Sequence, residues 1–274
     1  MWRKTIATPV EVNGIGIHSG KPVHMLLEPA GIGTGIRFVR DDLPGSPSVL
    51  AEAENIVSTF RATVLRDGPA VVSTVEHLLA VCYAFGVTDM VVRLDGEELP
   101  ILDGSAYGFR KAIGGRLQGF GEWSAHRSIH GKVGVSVGES WAIAEPAEGM
   151  SLIVIFDDPA IDDPHQVFTW TGSLVCLLEN HLLRARTRCF ASSLHVLQDD
   201  GRCLGVTEAN TLIYDEQGRG VRRMEGEEVL HKTMDLLGDL FYAGYVSAAI
   251  TVYKPGHAVN VALAKRILEE AACG

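Results

Sequence analysis

The chain has 274 residues, 46% hydrophobic and 21% charged, enough to bury a sizeable core in one large domain or two of ordinary size. Its 34 acidic residues outnumber 24 basic ones, giving a net charge of -10 with no basic run or basic-aromatic patch, which argues against nucleic acid as a partner. No stretch approaches the roughly 20 apolar residues of a transmembrane segment, and the opening MWRKTIATPVEVNGIGIHSG lacks the apolar core of a secretion signal; the expected location is cytoplasmic.

Short alternating strands broken by glycine turns are expected first, in TPVEVNGIGIHSG, PVHMLLEPA, TGIRFVR and ATVLRDG. A helix follows in STVEHLLAVCYAFG, where Ser73 and Glu76 have the spacing of a capping box and Gly86 ends the run. DMVVRLDG reads as a strand, and the Asp103-Gly104-Ser105 turn opens a second short helix. Residues 114–127 are glycine-rich without a clear period, which places a domain boundary there, between domains 1–120 and 121–274. The second part again opens with strands (GKVGVSVG, SWAIAEP, SLIVIFDD), then a helical stretch from Ser173 to Gly201 and a looser segment. A helix over 228–243, the strand SAAITVYKPG and the helix HAVNVALAKRILEEA close the chain. VEHLLAVCYAFGVTDMVVRLDG and LHKTMDLLGDLFYAGYVSAAITVYKPG echo each other as histidine, apolar helix, glycine, strand and turn. This predicts an α+β protein of two domains with one topology, each a helix layer packed on a sheet.

In the helix over 228–243, His231, Asp235 and Asp239 are four apart and form one polar stripe on an otherwise apolar rod. Such a stripe is ordinarily a wet face, yet His and Asp at that spacing can also converge on one ion. The five cysteines (82, 176, 189, 203 and 273) lack paired short spacing, which fits reduced thiols and leaves any metal to His and carboxylates. His77 is the candidate third ligand, and its neighbour Glu76 is either a helix cap or the carboxylate that takes a proton from water. His257, at a strand-to-helix turn, is a candidate general acid with Asp239 to hold it protonated; Lys232 is either a surface lysine or a partner for an anionic substrate group. The residues alone support a His/His/Asp zinc hydrolase and nothing narrower.

Six segments, GIGIHSG, STVEHLLA, ELPILDGSAYGF, RART, LHKTMDLLGDL and YKPGHAVN, stand in the order and near the spacing of the UDP-3-O-acyl-N-acetylglucosamine deacetylases, zinc amidohydrolases of lipid A synthesis. The chain resembles that family over nearly its whole length. The resemblance implies two domains, each a sheet with two helices packed against it, their helix layers facing each other across the site. It implies one zinc ion on His77, His231 and Asp235, a donor set that also suits iron(II). Glu76 falls at the general base, Thr187 at the residue that polarises the amide carbonyl, His257 at the general acid, Asp239 at its charge partner and Lys232 at the residue meeting the substrate diphosphate. His18, Arg188 and Phe190 join the substrate-binding set. The implied substrate is a UDP-linked acylated amino sugar; apart from the resemblance, a monomer is expected.

The sequence departs from the family at two places, both in the insert that builds the passage for the acyl chain. After RART the family usually continues Phe-Gly-Phe, whereas here stand Arg188, Cys189 and Phe190; GVTEANT (205–211) replaces a Gly-Gly-Ser segment. An arginine beside an apolar channel demands an anionic partner or costs apolar burial. Two alternatives stay open: a divergent paralogue deacylating another nucleotide-linked or phosphorylated amino sugar, and a catalytically silent binding protein on the same fold.

Overall fold

The computed structural model describes residues 2–123 and 126–273. Two five-stranded sheets repeat one topology. The first runs Val10–Ile15, Pro22–Pro29, Met90–Leu94, Ile36–Arg40, Ser48–Leu50, and the second runs Val133–Val137, Ser140–Pro146, Tyr245–Tyr253, Met150–Asp157, His165–Thr171. In each, the strand that comes last in the chain is inserted third, antiparallel to one neighbour and parallel to the other. His126–Ser128 adds a short parallel pairing to the second sheet.

Alternation decides which faces are buried. Val23, Met25 and Leu27 point inward from one strand of the first sheet, and Leu152, Val154 and Phe156 from one strand of the second. In both halves a helix precedes the inserted strand and another follows it: α1 (Glu76–Phe85) and α2 (Tyr107–Ile113), then, beyond two short helices of the insert, α3 (Leu174–Leu177) and α4 (Ala191–Asp199), α5 (Glu227–Leu240) and α6 (His257–Cys273). All ten residues of α1 are buried because it packs on α5 as well as on its own half. Gly238 permits that approach: a Cβ there would lie 2.1 Å from the carbonyl oxygen of Glu76. The helices of the two halves therefore meet face to face, as the resemblance implies, and the shared strand order matches the echo. No helix among the described residues is long and apolar enough to cross a membrane.

Each half carries an insert at one topological point, between its last edge strand and α1 or α5. In the first it is the antiparallel meander Ile56–Ser58, Val64–Asp67, Ala70–Ser73. In the second it holds α3, a π-turn over Leu178–Leu182, strand Thr187–Phe190, α4 and strand Thr211–Tyr214. The expected continuous helical stretch over 173–201 is thus broken. Thr187–Phe190 pairs in parallel with Thr211–Tyr214, and the Thr187 N–H donates to the carbonyl of Gly104, so long-range partners win over the run's local helical pattern. Residues 117–123, glycine-rich and without a helical or strand signal, form a strand antiparallel to Trp2–Ile6. Cys82, Cys176, Cys189 and Cys203 are free; the side chain of Cys273 lies outside the described residues.

Candidate active site

Glu76 opens α1, but not as a cap. Ser73 ends a strand and its hydroxyl donates to the carbonyl of Glu97, while Val75 takes the N-cap position without a side-chain bond. The capping box expected from Ser73 and Glu76 is absent, because pairing at the strand end claims the serine. Thr74 adopts φ +59, which turns the chain sharply into the helix, and its hydroxyl lies 3.4 Å from Glu98. Glu76 is then buried at 3% exposure with its carboxylate turned inward.

The stripe on α5 is equally dry. His231, Asp235 and Asp239 are each at most 2% exposed, covered by α1 and its flanking segments. Asp235 Oδ1 lies 3.4 Å from His231 Nε2 and 3.7 Å from His77 Nε2, and one donor atom from each of the three residues falls within 4.8 Å of the others. The two imidazoles meet edge to face at 5.2 Å. His231 Nδ1–H donates to the carbonyl of Ala185 at 3.0 Å, which fixes the tautomer and leaves Nε2 free to ligate. Burial pushes His77 down to about 3, helped by His231, and burial also lowers His231. Burial alone would raise Asp235; His231 and Lys232 beside it instead hold it well below the carboxylate range. Two neutral imidazoles and one ionised carboxylate are the protonation states a divalent cation needs. The buried Asp235 Oδ1 has no hydrogen-bond partner, the condition of a ligand atom, so the donor set fits a divalent metal ion.

Beside this cluster, His257 Nδ1 lies 2.9 Å from Asp239 Oδ2, which also accepts from Asn260 Nδ2 at 3.0 Å. Asp239 Oδ1 accepts from the hydroxyl of Thr63 at 2.8 Å. His257 Nε2 faces Glu76 Oε1 across 3.7 Å. Burial works against a charged His257, but the charges of Asp239 and Glu76 and the Asp239 bond raise it to about 9. Glu76 is raised to about 7, mainly by burial, with His257 pulling the other way. A carboxylate poised to take a proton thus faces an imidazolium able to give one. Thr63 carries no site signal in the sequence, whereas Asn260 ends the YKPGHAVN segment, three residues after His257 on one helix face.

A cavity of about 300 Å³ opens onto Glu76, His77, His231, Asp235 and His257, and Thr187, Lys232 and His18 line it as well. Lys232 Nζ is 2.8 Å from Asp235 Oδ2, so the lysine reaches the cavity while bonded to the cluster. The His18 backbone N–H donates to Glu98, and Cys203 Sγ lies 3.6 Å from its Nδ1. Burial lowers the His18 pKa. All the predicted site residues except Asp239, held one layer behind His257, line this one space.

The family model described as UDP-3-O-acyl N-acetylglycosamine deacetylase (LpxC) matches residues 3–269. The chain belongs to this deacetylase family. A protein of Wolinella succinogenes named UDP-3-O-acyl-N-acetylglucosamine deacetylase is 36% identical over 98% of this chain and 91% of its own. Relatives of the same name in Psychrobacter sp. and Psychrobacter cryohalolentis are 33% and 36% identical over 98% of this chain, covering 93% and 86% of their own.

Within this deacetylase scaffold, the departure at Arg188 acquires a structural account. Arg188 and Phe190 line the cavity, and the Arg188 guanidinium pairs with Asp158 at 2.8 Å while lying over Phe156 at 4.9 Å and near Tyr214 at 5.9 Å. The anionic partner that such a substitution demands is internal to the chain, and the aromatic faces accept the planar cation.

Proposed function

We propose that the chain hydrolyses the N-acetyl group of UDP-3-O-acyl-N-acetylglucosamine, giving acetate and UDP-3-O-acyl-glucosamine, in the lipid A pathway of the cytoplasm. The observation that carries this reading is the buried convergence of His77, His231 and Asp235, with an unpaired Asp235 oxygen, directly beside a raised Glu76. These three residues would hold zinc, which supplies a Lewis acid for the carbonyl and makes water more acidic. Glu76 takes the proton from water as its oxygen bonds to the acetyl carbon. Thr187, on the cavity wall, donates to the carbonyl oxygen as it gains charge. His257, kept cationic by Asp239, gives its proton to the sugar nitrogen as the carbon–nitrogen bond breaks. Lys232 spends one donor on Asp235 and keeps two for a phosphate oxygen. His18, Arg188 and Phe190 form the wall against which the rest of the substrate lies. The free cysteines suit a reducing compartment.

One observation favours a second reading. The Arg188–Asp158 pair puts charge in a wall that the family resemblance assigns to an acyl chain, which suits a shorter acyl group or a related amino sugar. Acetate release from UDP-3-O-acyl-N-acetylglucosamine by zinc-loaded protein, with Glu76→Ala as control, tests the first reading. Turnover lost in the variant supports it; no turnover with one bound zinc per chain sinks it and favours the second.

A further inference from the structure

We infer that Thr63 is a positioning residue for this reaction, one that holds the base and the partner of the acid at the same time. Resting on the deacetylase reading above, the inference stands on geometry. The Thr63 backbone N–H donates to Glu76 Oε2 at 3.2 Å and its hydroxyl donates to Asp239 Oδ1 at 2.8 Å. Thr63 is fully buried, so neither bond competes with solvent.

The bonds divide the two carboxylates' oxygens without overlap. Glu76 Oε2 is turned to Thr63, leaving Oε1 toward His257. Asp239 Oδ1 is turned to Thr63, leaving Oδ2 for His257 and Asn260. Each carboxylate thus has its rotation fixed by the same residue, and the oxygen that is left faces the acid. Thr63 comes from the first insert, Glu76 from α1 and Asp239 from α5, so this one residue, through its backbone N–H and its hydroxyl, ties three segments together across the line where the two helix layers meet. The backbone is bent to deliver it: Arg61, two residues earlier, has φ +63, just as Thr74 (φ +59) stands two residues before Glu76. Strained non-glycine turns at both places indicate that position is being held against local preference.

The test separates the hydroxyl from the fold. Thr63→Val keeps the backbone N–H and the branched shape but removes the donor to Asp239. It is expected to lower kcat roughly 10- to 100-fold, the effect of losing one hydrogen bond to a buried charge, with KM within about twofold and one metal bound per chain. Thr63→Ser restores the hydroxyl and is expected to recover kcat to within about threefold. A Thr63→Val enzyme with wild-type kcat, or a Thr63→Ser enzyme as slow as Thr63→Val, overturns the inference. If Thr63→Val does not fold, Thr63→Cys, with a weak donor in nearly the serine volume, takes its place, and equal kcat for Ser and Cys overturns the inference in the same way. Failure of the deacetylase reading is distinguishable, because the wild-type protein would then release no acetate at all.

Discussion

The two halves of the chain share one strand order and differ in what each inserts before its central helix. The first inserts a three-stranded meander before α1, and the second a longer mixture of strand and helix before α5. The repeated parts supply Glu76, His77, His231, Asp235, Asp239 and His257 from helices packed in the common core. The inserts supply what surrounds the reacting atoms: Thr63 and Arg61 from one, Thr187, Arg188 and Phe190 from the other. On the proposed function, the metal ligands, the base and the acid sit on rigid helices, while the residues that would meet the substrate sit on the inserts, and Thr63 reaches from one insert back to the helices to fix two carboxylates.

The largest effects should come from breaking the repeated scaffold. Asp235→Ala is expected to abolish both metal binding, read by metal analysis, and acetate release. Glu76→Ala should keep the metal and lose roughly 10²- to 10⁴-fold in kcat. Gly238→Ala tests the helix contact itself. Its Cβ would meet the Glu76 carbonyl at 2.1 Å, so α1 and α5 must part. Overpacking of this kind costs about 1–3 kcal/mol in denaturant unfolding, and a displacement near 1 Å at the base costs roughly 100-fold in kcat. Gly96→Ala, where an added Cβ meets nothing within 4 Å, is the matched control and should be neutral on both measures.

That division between scaffold and insert also explains what could be read in the sequence. His231, Asp235 and Asp239 announce themselves because helical periodicity is local, and the halves echo because each repeats helix, glycine and strand within a short window. That the stripe is dry rather than wet was not legible, since it depends on α1 arriving from 150 or so residues away. Thr63 carried no signal at all: its partner Asp239 is 176 residues distant. Ser73 fits a local capping rule in sequence but belongs to a strand end in the structure, and the run through Thr187–Phe190 has a helical pattern that its distant strand partner overrides. Arg188 was legible as a cation needing an anion, but nothing in its neighbourhood named Asp158.

A smaller effect, still on the scaffold side, is the pH profile. His257 is raised to about 9, above its ordinary 6.5, so its proton is retained at neutral pH and lost as pH rises through about 9; activity should fall there by about tenfold per pH unit. Glu76, raised to about 7, is ionised only above that value, so activity rises with pH along the acid limb. A bound dication favours the ionised carboxylate and moves that limb lower. His257→Gln should remove the alkaline limb and leave the acid one. An alkaline limb that persists in His257→Gln would show that another group sets it.

The smallest effect should come from the insert wall, and it is the one that sharpens the contrast. Arg188 and Asp158 are each about one-fifth exposed, so the pair itself contributes little to stability, on the order of 1 kcal/mol or less. Its consequence lies in what it denies the substrate. A guanidinium held over Phe156 covers an aromatic face that an acyl chain could otherwise contact. Replacing both residues, Arg188→Phe with Asp158→Asn, removes the charge and its counter-charge together and so leaves no buried ion unpaired. Each methylene newly buried is worth about 0.8 kcal/mol, so two or three of them should lower KM for a long-chain substrate by roughly 10- to 50-fold while the kcat of a short-chain one stays within about twofold. Comparison of KM against acyl length in the wild type and the double variant reads this directly. A variant whose KM is as indifferent to chain length as the wild type would place acyl recognition away from Arg188, and a kcat that falls for every substrate would mean that the wall and the scaffold are not separable here.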